Sequence, residues 1–250
     1  MITFISPAMG FNSVNEIAQH TPVYKEKTKE IVKCLKEKSP SDIAQLMKVN
    51  EQIAELNFER YQDFSFDKKV FPAIYLFKGL QYGALDATSL DSESIKFLQD
   101  HARIFSGLYG ILKPLDGILP YRLEMKTKLS VDNYRDLYQF WGDSLYQNLA
   151  QDAQNVIVNL ASSEYSKCVE PFLQDEIYVT CVFKVNKNGI LKVQSTAAKQ
   201  ARGKMLRYIA ENKINAYEDL VPFAEDGYAF AENLSILEGK KKQLVFVKEK

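Results

Sequence analysis

The chain has 250 residues, 46% of them apolar and 26% charged, and its 32 basic and 32 acidic side chains cancel. That balance excludes a disordered chain, and it excludes nucleic-acid affinity through overall positive charge, so an anion site has to come from local clustering. No run approaches the roughly 18 to 20 apolar residues of a membrane span, and residues 1–7 lack the charged flank of a signal peptide.

In chain order, Ile2 to Ser6 is a short apolar run ended by Ser6-Pro7-Ala8, which predicts a buried strand. Helical spacing dominates from Lys25 to Lys38 and from Ser41 to about Tyr61, and Ala73 to Lys78 predicts a second buried strand. Asp91 or Ser92 caps a helix whose Ile95, Leu98, Ala102 and Phe105 recur at helical spacing, so this helix should run to Phe105. Asp136 to Ala150 predicts a helix and Val156 to Leu160 a strand buried on both faces. Ile177–Val185 and Ile190–Ser195, joined by Asn186-Lys187-Asn188-Gly189, predict a hairpin. A helix over Lys199–Asn212 and short strands near Tyr228 and Leu244–Val247 complete the chain. With no repeat or linker, this mixture gives a single α/β (α+β mixed) domain over 1–250, a mixed central sheet flanked by helices.

Residues 105–125, FSGLYGILKPLDGILPYRLEM, combine three glycines and two prolines with many apolar side chains. Such a backbone suits a phosphate-cradling turn, a helix–hairpin–helix that grips DNA, or a buried bend. The chain lacks GxGxxG after a strand, a Walker A sequence and GxSxG. Its two histidines, His20 and His101, have no metal-ligand spacing, so neither a metal nor a cofactor is called for. Cys34, Cys168 and Cys181 are odd in number and widely spaced, as expected of reduced, buried thiols in a cytoplasmic protein.

Charge is segregated despite the neutral total. Lys184 to Lys213 holds eight basic residues against Glu211 alone, and Asn215 to Glu238 holds six acids and no base. Lys199, Arg202, Gly203 and Arg207 fall on one helical face, where a glycine costs about 1 kcal/mol relative to alanine and needs a reason. That reason is either close approach of a phosphate or a packing notch. Ser6, Lys78-Gly79 and the Asn159–Tyr165 segment lie just beyond apolar runs, where α/β proteins gather ligand groups.

Ser6-Pro7-Ala8, Ser106-Gly107-Leu108-Tyr109-Gly110, Pro120-Tyr121-Arg122-Leu123-Glu124-Met125 and Leu137-Tyr138-Gln139-Phe140-Trp141-Gly142 occur in order. Asn159-Leu160-Ala161-Ser162, Glu164-Tyr165, Ala201-Arg202-Gly203 and Gly227-Tyr228 follow. This series resembles the YaaA family, the bacterial peroxide stress resistance proteins, from residue 2 to about 247. The resemblance implies a cytoplasmic protein of a fold peculiar to the family, with a basic cleft, DNA binding and a role in limiting oxidative damage linked to iron. It also implies a helix–hairpin–helix, here the helix ending at Phe105 plus the glycine turn. The sequence departs from the family in three places: Gly107 and Gly110 are three apart where such hairpins space them by two, Met9 replaces a common lysine, and Leu80 replaces an acidic or isoleucine residue.

Two functions follow. In the first, DNA, single-stranded or distorted, is held by Lys199, Arg202, Lys204 and Arg207, with Tyr109 and Tyr165 stacking on bases. Gly107, Gly110, Lys113 and Arg122 join that surface. In the second, an enzyme takes a small anionic or nucleotide-like ligand between Ser6, Lys78, Arg122, Glu124, Ser162 and Lys199, beside Asn159. Glu124, Lys199 and Ser162 are then the catalytic candidates, with Glu124 or Lys199 as acid or base.

Overall fold

A computed structural model of the chain describes residues 1–249. Eight strands form its main sheet: β1 (Ile2–Ile5), β2 (Ala102–Ser106), β3 (Gly110–Leu112), β4 (Val156–Leu160), β5 (Ile177–Lys187), β6 (Ile190–Lys192), β7 (Tyr228–Phe230) and β8 (Lys241–Glu249). They run in the order β7-β8-β5-β4-β1-β2-β3, with β6 also paired to β5. The five strands from β8 to β2 are parallel, and β7, β3 and β6 pair antiparallel to their neighbours. β1 and β2 are buried along their whole length, as expected for central parallel strands covered by helices on both faces. Among the described residues no helix is long and apolar enough to cross a membrane.

The expected helix into Phe105 is corrected. It spans Ser92–His101, and Ala102 turns extended (φ −122°, ψ 148°) to begin β2. A strand buried on both faces is as apolar as a buried helix, so spacing alone does not separate them. The glycine turn then closes a β-hairpin, with Ser106 opposite Gly110, and no second helix follows. The helix–hairpin–helix is therefore absent from this stretch. The Leu108 and Tyr109 amides point inward and donate to Ser106 Oγ at 3.1 and 2.9 Å. Gly110 has φ 74°, and a Cβ on Gly107 would lie 2.5 Å from the Leu123 carbonyl oxygen. Of the three backbones proposed for this stretch, it is the buried bend.

Other boundaries move for local reasons. Ala73–Leu76 is one helical turn whose first amides donate to the Asp116 and Pro114 carbonyls, and only Phe77–Lys78 is strand, paired with Gly10–Phe11. Ser41–Tyr61 divides into helices Pro40–Met47 and Glu51–Gln62, because Lys48 is left-handed and Asn50 caps the second. Gly142 likewise splits the expected Asp136–Ala150 helix into Leu137–Trp141 and Ser144–Asp152. The Asn188-Gly189 turn between β5 and β6 has positive φ at both residues, the backbone a two-residue hairpin needs.

Asp116 anchors the loop beyond β3 by accepting the Lys113 amide hydrogen at 2.8 Å. Burial pushes its pKa up to about 6, against the pull of His20, Arg103 and the Lys113 charge. The folded protein thus holds this proton to higher pH than the unfolded chain, and stability falls as pH rises from about 4 through 6. Asp116→Asn should be about 3 kcal/mol more stable than the native protein at pH 8 and equal to it near pH 3, by urea melts at both. Equal stability at pH 8 would refute the assignment.

Candidate functional site

β1 and β4 lie side by side with Ile5 opposite Leu160, so the residues that follow emerge together at the carboxyl end of the sheet. The Ser162 amide donates to Ser6 Oγ at 2.9 Å, and the two hydroxyl oxygens are 3.4 Å apart. Asn159 is not exposed to a ligand. It is buried on β4, and its Oδ1 accepts the Ala161 amide at 2.8 Å, shaping the turn that presents Ser162.

The helix Leu80–Leu85 lies across these strand ends. Tyr82 Oη donates to the Ser6 carbonyl at 3.0 Å, and Gln81 Nε2 reaches the Leu160 carbonyl at 3.5 Å. The basic helix, Ser195–Glu211, packs on it with Gly203 at the crossing. A Cβ at 203 would overlap the Gln81 carbonyl oxygen and stand 3.0 Å from Ala84 Cβ. Gly203 is the packing notch and seats no phosphate.

A cleft of about 290 Å³ opens between these elements, and Ser6, Lys78, Glu124, Ser162, Tyr165, Lys199 and Arg202 all line it. Of the residues assigned to a small anionic ligand, only Arg122 and Asn159 are missing from its wall. The Arg122 carbonyl accepts the Tyr61 hydroxyl instead, and its Nε is buried without a partner. Met9, Leu80, Gln81 and Glu164 also line the cleft, Glu164 directly after the Ser162-Ser163 turn that its motif with Tyr165 marks in the sequence.

The residues assigned to DNA are less well placed. Arg207 donates to the Leu85 and Asp86 carbonyls at 3.0 and 3.1 Å and pairs with Glu211 at 2.7 Å, so it caps the Leu80–Leu85 helix. Lys204 pairs with Asp226 at 2.6 Å. Tyr109 is buried, with its hydroxyl taking the Leu119 amide hydrogen, and Tyr165 is buried too, so neither can stack on a base. Lys113 follows β3, which runs against β2, and therefore stands at the opposite end of the sheet from the cleft.

Lys78, Lys199 and Arg202 make no ion pair among the described residues. Arg202 Nε is buried without a hydrogen-bond partner, and burial lowers the pKa of its guanidinium. The Tyr165 hydroxyl is also unpartnered: the Met125 backbone stands near it without hydrogen-bond geometry, and burial raises its pKa well above the usual value. On the acidic side, Glu124 and Glu164 share Lys126 at 3.3 and 3.4 Å. The cleft therefore offers unspent positive charge and an unspent hydroxyl, the combination that takes up an anion. Among the described residues no group of three His, Cys, Asp or Glu side chains converges to hold a metal.

The cleft continues at both ends. A hollow of about 670 Å³ shares Lys78, Gly79, Leu80 and Tyr82 with it, and another of about 660 Å³, bearing Lys38, Lys48, Lys126 and Lys128, shares Glu124.

The family model described as peroxide stress protein YaaA matches residues 1–234. The chain belongs to the YaaA family. Its relatives include a UPF0246 protein of Clostridioides difficile, 43% identical over 252 residues and matched along the whole of both chains. A UPF0246 protein of Pediococcus pentosaceus is 41% identical over 228 residues, covering 91% of this chain and 89% of the relative. One from Shewanella loihica is 42% identical over 243 residues, covering 93% and 94%. Both departures from the YaaA pattern at the strand ends, Met9 and Leu80, fall on the cleft wall.

For a peroxide stress family the thiols deserve a direct test. Cys168 and Cys181 are buried, and burial pushes both up to about 12, against the pull of Arg202 on Cys181. Thiolate, the form that attacks peroxide, is then about one part in ten thousand at pH 8. Native protein treated with iodoacetamide at pH 8 should be alkylated at half-buried Cys34 alone, read by mass spectrometry. Rapid labelling of Cys181 would make it a candidate peroxide sensor.

Proposed function

We propose that this YaaA-family protein binds a small phosphate-class anion in the cleft beyond β1 and β4, and that through this ligand it acts in peroxide defence and limits free iron. The observation that carries this reading is Arg202, whose guanidinium is desolvated on the cleft wall with Nε unpartnered. A buried polar group left unsatisfied costs about 1–3 kcal/mol, and an anion between Arg202, Lys199 and Lys78 would offset that cost. Ser6 and Ser162 add hydroxyls, and Glu124 and Lys199 supply a carboxylate and an ammonium for proton transfer.

A second reading, with single-stranded or distorted DNA as the anion, is favoured by the lysine-bearing hollow that continues the cleft past Glu124. A strand laid along both would meet more cations than a free phosphate does.

Calorimetric titration with inorganic phosphate and with a single-stranded oligonucleotide, at several salt concentrations, tests both readings. Phosphate should bind and displace the oligonucleotide. Met9→Lys adds a cation to the cleft wall and should tighten phosphate binding several-fold, and it should steepen the oligonucleotide's salt dependence by about 0.7 in log–log slope. Oligonucleotide binding that phosphate does not displace and Met9→Lys does not change would place DNA outside the cleft, and a native protein that binds no phosphate would overturn the anion site.

A further inference from the structure

The hollow that shares Lys78–Leu80 with the cleft raises a question about Gly83. This residue lies inside the helix Leu80–Leu85, where glycine costs about 1 kcal/mol relative to alanine. Neither backbone nor packing asks for it. Its φ is not positive, and a Cβ built on it would have nothing within 4 Å. The contrast with Gly203 is direct, since a Cβ there would run into Gln81 and Ala84. Ala84 is the residue of this helix that meets the crossing; Gly83 faces the other way, on the exposed stripe it shares with Leu80.

That stripe walls the hollow of about 670 Å³. Half-buried Tyr75 gives the hollow an aromatic wall, with Phe77 and Tyr82 buried behind it, and Asn12 and Gln200 give it polar groups. Asn12 turns its amide nitrogen onto the Tyr75 and Phe77 carbonyls at 3.0 and 3.4 Å, which leaves its side-chain oxygen free to accept. The hollow and the cleft meet over Lys78-Gly79-Leu80, so a molecule anchored by its charge at Arg202 and Lys199 can extend over that saddle into the hollow beside Tyr75.

We infer that the ligand is an organic phosphate with a planar ring body: the phosphate occupies the cleft, the ring lies in the hollow against Tyr75, and Gly83 keeps the space for it. This rests on the anion reading of the cleft and deepens it by naming the ligand class. The Tyr75 ring favours a flat partner through stacking or edge contact, and the Asn12 oxygen suits a ring that carries a hydrogen-bond donor, as nucleobases do.

The test is calorimetric titration with inorganic phosphate, ribose 5-phosphate and adenosine 5′-monophosphate. The native protein should bind the nucleotide at least tenfold more tightly than ribose 5-phosphate. Gly83→Leu should erase that preference while leaving ribose 5-phosphate affinity within twofold, because leucine fills the hollow and not the cleft. The variant should melt no lower than the native protein, since leucine favours the helix. Saturation-transfer NMR on the native protein gives a readout that needs no variant: adenine protons should receive more saturation than ribose protons. Equal affinity for the two organic phosphates, a preference that survives Gly83→Leu, or weaker adenine than ribose signals would each overturn the ring site and leave the anion site standing. Failure of all three phosphates to bind the native protein would overturn the anion site, and the ring site with it.

Discussion

Arg202→Met should raise the melting temperature of the ligand-free protein and abolish its response to phosphate. The two effects have opposite signs because they come from the same guanidinium. Without a ligand, Arg202 holds a buried Nε with no partner, and its charge is disfavoured by desolvation. Methionine is similar in reach, apolar and flexible enough to fill the space, so the substitution removes the unsatisfied group without leaving a void. A gain of about 1 kcal/mol is expected, which for a chain of this size is about 2–4 °C. With phosphate present, loss of a desolvated charge partner costs about 2–5 kcal/mol, or roughly 30-fold to several thousand-fold in affinity. Thermal melts with and without phosphate measure both. A variant that melts lower than the native protein and still gains stability from phosphate would make Arg202 a structural residue.

The legible part of the site was the part set by chain direction. Ser6 and Ser162 each follow a short apolar run, and parallel pairing of those runs brings them within hydrogen-bond reach. The helical offsets of Lys199, Arg202, Gly203 and Arg207 put them on one face, and two of the four, Lys199 and Arg202, do line the cleft. What spacing could not show is that this cationic face is packed against another helix. Arg207 is spent on the Leu85 and Asp86 carbonyls, more than a hundred residues earlier in the chain, and Lys204 on Asp226. Nothing local in the sequence announces such partners.

The strand β2 was illegible for a different reason. Ala102-Arg103-Ile104-Phe105-Ser106 is buried on both faces, so it carries no two-residue alternation to set against the helical spacing of the preceding residues. Arg103 adds to the confusion: it is almost wholly buried, paired to Asp152 and bonded to the Ala102 carbonyl at 2.7 Å, a role no local pattern predicts. Once β2 is a strand, the glycine turn has to return antiparallel, and its amides are committed to Ser106.

Gly203→Ala should be the most damaging single-methyl substitution near the site. Helix propensity alone would favour it by about 1 kcal/mol. Against that, the new Cβ would overlap the Gln81 carbonyl oxygen and lie 2.9 Å from the Gln81 carbonyl carbon, both backbone atoms that cannot rotate away. Relief requires the helices Ser195–Glu211 and Leu80–Leu85 to move apart. Gln81 and Tyr82 tie the second of these to the Leu160 and Ser6 carbonyls, so that movement loosens the strand ends that shape the cleft. Overpacking of this kind costs about 1–3 kcal/mol and more when backbone is involved, so the clash outweighs the propensity gain. The expected net loss is at least about 2 kcal/mol, or about 4–8 °C in melting temperature. Phosphate affinity should fall with it, because Lys199 and Arg202 ride on the displaced helix. Gly83→Ala, in the partner helix but facing open space, serves as the control and should be neutral or stabilising. If Gly203→Ala melted like Gly83→Ala, the two helices would not be in the contact that closes the cleft, and Arg202 would lose the wall that desolvates it.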